Sequence, residues 1–213
     1  MMRLHYYPGF ISLAPHIVLE EIGAEYELSF VNLHRGPNRT PAYLALHPDG
    51  LVPVLEDGSL VLYESTAIIL HLLETERGTI LVPEPGSASR PEFYRWLMWL
   101  ATTLHANLSL YLHPSKVAIS TEAQADVRQA AEHRVDAQFD RVEAELARHG
   151  APWLLGETYT AADAYLFTLA RWSRGMSRPA ASRPGLGGYL QRMIERPAVQ
   201  RVHAQEHIPR PWV

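Results

Sequence analysis

The spacing of apolar residues changes character near residue 85. Up to that point, short apolar runs alternate with segments of helical period. Arg3–Tyr7 is a strand candidate that ends in the turn signal Pro8-Gly9. Ser12–Gly23 predicts a helix: Ser12 suits an N-cap, Pro15 falls in the first turn where proline is tolerated, and Gly23 supplies the stop. Glu27–Leu33 reads as a second strand. Thr40-Pro41 opens a short helix as N-cap and first residue, closing before His47-Pro48. Val52–Glu56 and Leu60–Tyr63 flank Asp57-Gly58 and predict a hairpin. Ser65–Arg77 carries Ile68, Ile69, Leu72 and Leu73 on one side of a third helix. The opening strand–helix–strand order implies parallel pairing through a right-handed crossover, and the hairpin makes the four-stranded sheet mixed.

Residues 81–91 carry Pro83, Pro85, Gly86 and Pro91 and read as a linker. Everything beyond it has helical period. Phe93–Leu112 repeats Leu97, Leu100, Leu104, Leu108 and Tyr111, and Thr121–His149 repeats Val127, Ala131, Val135, Phe139, Val142 and Leu146. Thr160 and Asp163 have the spacing of a capping box, with Tyr165, Leu166, Leu169 and Trp172 following on a buried face. Pro184–Arg196 and Pro197–Gln205 complete the set. The expected division is residues 1–80, a linker at 81–91, and an all-helical domain at 92–213.

Composition sharpens this division. The 213 residues carry a net charge of −4, which gives nucleic acid no basic field to meet. Residues 1–85 hold four Lys/Arg against eleven Asp/Glu, net −7, whereas residues 86–213 hold fifteen against twelve, net +3. Cysteine is absent, which excludes disulfides, thiolate metal sites and a cysteine nucleophile. Any thiol chemistry must therefore use a thiol carried by a ligand. Of the eleven histidines, only His203 and His207 stand at i, i+4, and no His-Glu-x-x-His pattern completes a metal site, so no metal is expected. No apolar stretch approaches the ~18 residues of a membrane span, and the N-terminus has no signal-like apolar core; the expectation is a cytoplasmic protein with no membrane partner.

Four segments in order carry a family resemblance across nearly the whole chain. Residues 6–16 (Tyr-Tyr-Pro-Gly-Phe-Ile-Ser-Leu-Ala-Pro-His) look like the opening of the bacterial beta class of cytosolic glutathione transferases. Gly50-Leu-Val-Pro53 resembles the loop whose proline is cis in that fold. Glu64-Ser-Thr-Ala-Ile68 looks like the segment that holds the γ-glutamyl end of glutathione, and residues 159–167 resemble the capped core helix of the second domain. The resemblance implies an α+β, thioredoxin-like N-terminal domain followed by an all-α helical bundle. There are departures: Ile11 stands where the beta class has a cysteine, Met98 and Ala106 replace an asparagine and a lysine of its helical domain, and the cation for the glycine carboxylate has no direct match, Arg35 being nearest.

From the resemblance follow the candidate site residues. Ser12 and Tyr6 are candidates for stabilising the ligand thiolate, Ser12 by a hydroxyl at a helix N-terminus and Tyr6 by a phenol at a strand end. Ser12 acting only as a helix cap, and Tyr6 only as a core residue, remain open. Val52 and Pro53 would present backbone to the cysteinyl unit in β fashion. Glu64 and Ser65 would take the ammonium and the α-carboxylate, and His105 would donate to sulfur or act as a base. The function implied is conjugation of the glutathione thiolate to an apolar electrophile, a detoxification reaction, by a homodimer whose co-substrate is glutathione. The alternative is a glutathione- or apolar-ligand-binding protein of the same fold with little turnover. A glutathione-dependent isomerase or dehalogenase is a smaller rival, and thiol–disulfide exchange by an enzyme cysteine is excluded.

Overall fold

The computed structural model describes residues 1–33 and 36–213. They form two compact units, one made of 1–84 with 194–212 and the other of 85–193 with Val213. The 92–213 range expected for the helical domain is therefore divided, its last helix packing with the first unit.

The first unit holds β1 (Met2–Tyr6), α1 (Leu13–Glu21), β2 (Tyr26–Phe30), α2 (Pro41–Leu44), β3 (Val54–Asp57), β4 (Leu60–Tyr63), α3 (Ser65–Leu73) and α9 (Pro197–Gln205). The sheet order is β2-β1-β3-β4; the parallel β1–β2 pair and the β3–β4 hairpin are as the sequence pattern predicts, and β1 also pairs antiparallel with β3. β2 ends at Phe30, short of the expected Leu33, because β1 ends at Tyr6, whose carbonyl accepts the Val31 N–H as the last tie. α3 stops at Leu73 rather than Arg77. There the Thr75 hydroxyl donates to the Leu72 carbonyl and accepts from Gly78 N–H, turning the chain into a 3-10 segment. Residues Leu13–Leu19 of α1 are buried on every face, not along one stripe, because α3 and α9 both pack on this helix. At about 1.5–3 kcal/mol for each large aliphatic side chain, this helix centres the core of the unit.

The second unit contains α4 (Ser89–Trp99), α5 (His105–Leu112), α6 (Thr121–His149), α7 (Ala161–Arg171) and α8 (Pro184–Glu195). α4 begins inside the expected linker, since Pro91 lies in its first turn, where no N–H is needed. The single helix expected over Phe93–Leu112 is interrupted by a π turn at Leu100–Leu104, closed by His105 N–H to the Leu100 carbonyl. The apolar positions Leu100, Leu104 and Leu108, each four apart, suit that wider turn. α6 starts at Ser120, whose hydroxyl accepts from Ala123 N–H, and ends at Gly150 with φ +62. All eleven residues of α7 are buried, making it the central helix of this unit.

Candidate active site

Strand register gathers the candidate residues of the first unit at one end of its sheet. β3 and β4 pair Val54 with Tyr63, so Val52-Pro53 enters and Glu64-Ser65 leaves the hairpin at the same end of the sheet. β1 pairs His5 with Val54, so Tyr6 ends β1 and Tyr7 follows it at that same end, where Tyr7 packs against the cluster that holds Val52. The Val52–Pro53 peptide bond is cis. Open α/β sheets bind ligands at such strand ends.

The loop before β3 is tied in place residue by residue. Asn38 Nδ2 donates to the Gly50 carbonyl at 2.9 Å, Arg39 to the Asp49 carbonyl at 3.1 Å, and the Tyr43 hydroxyl to the Leu51 carbonyl at 2.7 Å. Gly50 has φ +63, and a Cβ there would lie 2.4 Å from the Asn38 carbonyl oxygen, so glycine is required. Val52 then packs with Val31, Tyr43 and Val54, and Tyr7 and Phe10 lie against that cluster.

Strand alternation predicts opposite faces for the two tyrosines; they have different neighbours, although both rings lie near Phe30. Tyr6 lies toward α1, its ring 6.3 Å from His16 and 6.1 Å from Phe30. Burial, and secondarily the charge of Glu206, raise its phenol above the ordinary value of 10.0, so at neutral pH it is a donor. It is Tyr7 that shares the face of Val52. Ser12 departs from the expected cap geometry. It precedes α1 with no side-chain cap bond and is fully buried. Its hydroxyl donates to the Tyr7 carbonyl at 3.2 Å and accepts from Tyr7 N–H at 3.3 Å, closing the turn that joins β1 to α1.

Glu64 and Ser65 stand at the start of α3, and Glu64 has φ +73, a conformation that side chains rarely adopt. Strain of this kind persists where the surroundings over-determine it, and it concentrates at ligand sites. Nothing in the sequence announces it. Nor does the sequence single out His47, a buried ring stacked 4.7 Å from Tyr63. Its Nδ1 accepts from Asp49 N–H at 3.2 Å, placing the proton on Nε2. Burial lowers the His47 imidazole below its ordinary value, opposed by the Asp49 and Glu64 carboxylates.

His105 belongs to the second unit and follows the π turn directly. Its ring meets Trp172 edge-on at 5.3 Å, and its Nδ1 lies 3.4 Å from the Tyr165 hydroxyl. Burial, and then the charge of Lys116, push its imidazole down to about 4, so it is neutral at physiological pH. Arg35 lies outside the described residues. Among the described residues, no group of three or more His, Cys, Asp or Glu side chains is placed to hold a metal ion, and no helix is long and apolar enough to cross a membrane.

Residues 2–74 match the glutathione S-transferase N-terminal domain, and residues 98–197 match the glutathione S-transferase C-terminal domain. The chain belongs to the glutathione S-transferase family. Glutathione S-transferase GstA of Escherichia coli O157:H7 is 33% identical over 202 residues, covering 93% of this chain and 96% of that protein. Among solved structures, a glutathione transferase homolog from Sulfitobacter with bound glutathione superposes with a TM-score of 0.87 at 28% identity, covering 96% of this chain and 98% of the other. The bacterial beta-class glutathione S-transferase of Sphingomonas chungbukensis gives a TM-score of 0.83 at 28% identity over 97% and 100% of the two chains. This transferase thus carries the thioredoxin-like and helical parts read from its sequence, and it has no cysteine.

Proposed function

We propose that this protein is a glutathione S-transferase that adds the glutathione thiolate to an apolar electrophile. The observation that carries the reading is the strand register that brings Val52, Pro53, Glu64 and Ser65 to one sheet end, next to the turn holding Tyr6 and Ser12. In this reading the Val52 backbone pairs with the cysteinyl unit in β fashion. The Glu64 carboxylate takes the ligand ammonium, and Ser65 with the start of α3 takes the α-carboxylate. The glycine carboxylate falls to Arg35. His105 acts as a neutral donor to glutathione.

Ligand thiol activation is assigned first to Ser12. Its bond to the Tyr7 carbonyl, at 3.2 Å, is long for an O–H donor and is exchanged for the stronger bond to a sulfur anion. A hydrogen bond to a charged partner contributes about 1.5–3 kcal/mol and the helix start roughly 0.3–1 kcal/mol, enough to lower a thiol pKa by about one to three pH units. The proton leaves to solvent on binding. The sulfur lone pair then forms the S–C bond as the electrophile's leaving group departs, with no covalent enzyme intermediate. Full burial of Ser12 favours a second reading, a glutathione-binding protein of the same fold with little turnover.

Calorimetric titration with glutathione, followed by turnover of a panel of electrophiles, separates the two: binding with turnover supports the transferase, and binding without it the second reading. Ser12→Ala is expected to raise the bound thiol's pKa and slow conjugation by about tenfold or more, with affinity changed less, and Tyr6→Phe to do less. A thiolate titration that moves in Tyr6→Phe and not in Ser12→Ala reassigns the activating group to the tyrosine. A cytoplasmic homodimer belongs to the same reading, supported by the charge asymmetry between residues 1–85 and 86–213. A monomer by light scattering at micromolar concentration counts against it.

A further inference from the structure

Lys116 is the one lysine of the chain, and its surroundings set it apart from the arginines of the same unit. Arg95, Arg148, Arg178 and Arg183 each meet a carboxylate. Lys116 pairs with none among the described residues; its Nζ donates to the Ser109 hydroxyl at 3.3 Å. An ammonium held only by a neutral hydroxyl keeps its charge available to an arriving anion, which then has no protein carboxylate to displace.

The local fold puts that charge beside His105. α5 ends at Leu112, and a 3-10 turn over Pro114–Lys116 follows it, with Lys116 N–H donating to the His113 carbonyl at 3.1 Å. From there the Lys116 side chain runs back along α5 to Ser109, seven residues earlier. Ser109 stands one helical turn beyond His105, about 5–6 Å along the helix. At the other end of this stretch the π turn over Leu100–Leu104 leads directly into His105, and such turns are frequent at functional sites. The Trp172 ring, half-buried and edge-on to His105, offers apolar surface at the same place.

The field at this place has one sign. Burial, and then the charge of Lys116, lower the imidazoles of both His105 and His113, and no carboxylate opposes them at either ring. A ligand lying on Trp172 beside His105 therefore meets two neutral imidazoles, a hydroxyl and one ammonium.

We propose that Lys116 is a specificity-determining residue of the transferase reaction, selecting electrophiles that carry a carboxylate on an aromatic body. This rests on the transferase reading given above and narrows its apolar electrophile. The carboxylate takes no part in the bond changes. The glutathione sulfur forms its bond to the ring carbon that bears the leaving halogen, and the halide departs with the electron pair of the broken bond. The same ammonium disfavours electrophiles that carry a cation, so it discriminates by repulsion as well as by attraction.

The test uses chlorodinitrobenzoate, its carboxylate across the ring from the chlorine, and the methyl ester of the same acid. The ratio of kcat/KM for acid and ester is read, and the intrinsic reactivities of the two cancel when that ratio is compared between protein variants. Lys116→Met is expected to lower the ratio about fivefold, and Lys116→Arg to keep it within about twofold of the wild type. Arg148→Met removes the same charge from an exposed ion pair of this unit and is expected to leave the ratio in place. Raising the salt from about 0.05 to about 0.5 M should bring the wild-type ratio toward that of Lys116→Met and leave that variant's own ratio unmoved. The inference is overturned if Lys116→Met keeps the wild-type ratio, or if Arg148→Met lowers it as far. It is overturned too if Lys116→Met raises the KM for glutathione equally with both electrophiles at an unchanged ratio, since the cation then serves the tripeptide. Calorimetry separates the failure of the parent reading. A wild type that binds no glutathione removes the transferase and this inference together, whereas a wild type that binds and turns over both electrophiles with a Lys116-independent ratio removes the inference alone.

Discussion

Asp163 and Glu206 are both buried carboxylates that accept backbone N–H groups, yet their surroundings differ in kind. Asp163, at the start of α7, accepts from Leu154 N–H, Thr160 N–H, the Thr160 hydroxyl and the Tyr189 hydroxyl. All four donors are neutral, and burial pushes its carboxyl up to about 6 against their combined pull. Glu206 faces a histidine 190 residues away and a glycine amide 197 residues away. The first arrangement closes one helix start on its neighbours in sequence. The second joins the end of the chain to the turn at its beginning. Burial alone thus says little about what a carboxylate does; the sequence distance of its partners separates a local cap from a long-range tie.

The largest effect is expected from Asp163→Ala. It leaves two buried backbone donors without acceptors and removes a cap, together about 3–5 kcal/mol. For a chain of this length that lowers the melting temperature by roughly 10 °C. Glutathione titration in the surviving folded protein should match the wild type. A changed thiolate titration would show that Asp163 does more than close the start of α7.

The same distinction shows what could be read in advance. Thr160 and Asp163 are three residues apart, Thr40-Pro41 are adjacent, and the hairpin turns on Asp57-Gly58, so each was legible from spacing. The register that assembles Val52, Pro53, Glu64 and Ser65 followed from that hairpin. Placement of α9 in the first unit did not, because its apolar face says only that it is buried, not by what. Glu206 looks like any polar residue at a helix end until His16 and Gly9 meet it. Ser12 had the right residue type for a cap, yet Tyr7 claimed its hydroxyl. The π turn before His105 left a trace in three apolar residues four apart, too short a run to separate from an ordinary stripe.

Two histidines, one in each unit, have different surroundings, and pH tests this. His16 meets a carboxylate, whereas His105 meets aromatic rings and the field of Lys116. With its imidazole pushed from the ordinary 6.5 down to about 4, folded His105 binds fewer protons than the unfolded chain between those values. Stability from this group is therefore whole above pH 6.5 and lost as pH falls toward 4, by up to about 3 kcal/mol. Denaturant midpoints measured across that range should fall more steeply for the wild type than for His105→Gln. An imidazole resonance of His105 titrating near its ordinary value would show that the ring is not held as described.

The smallest effect separates strain from cap. In the second unit, Gly150 and Gly156 take left-handed positions at φ +62 and +117, while in the first unit Glu64 and His207 hold φ +73 and +53 with full side chains. A glutamate kept where glycine fits better suggests that its carboxylate has a use that its backbone does not. Glu64→Gly removes the steric conflict and should raise stability by up to about 1 kcal/mol, part of which the freer unfolded chain takes back. Under the proposed assignment the same substitution removes the partner of the ligand ammonium and weakens glutathione binding about tenfold, near 1.4 kcal/mol. Thermal unfolding and calorimetric titration of one variant read both numbers. Opposite signs in the two measurements support strain held for the ligand. A loss of stability with unchanged binding would make Glu64 a structural residue at the start of α3, no different in kind from Asp163 at the start of α7.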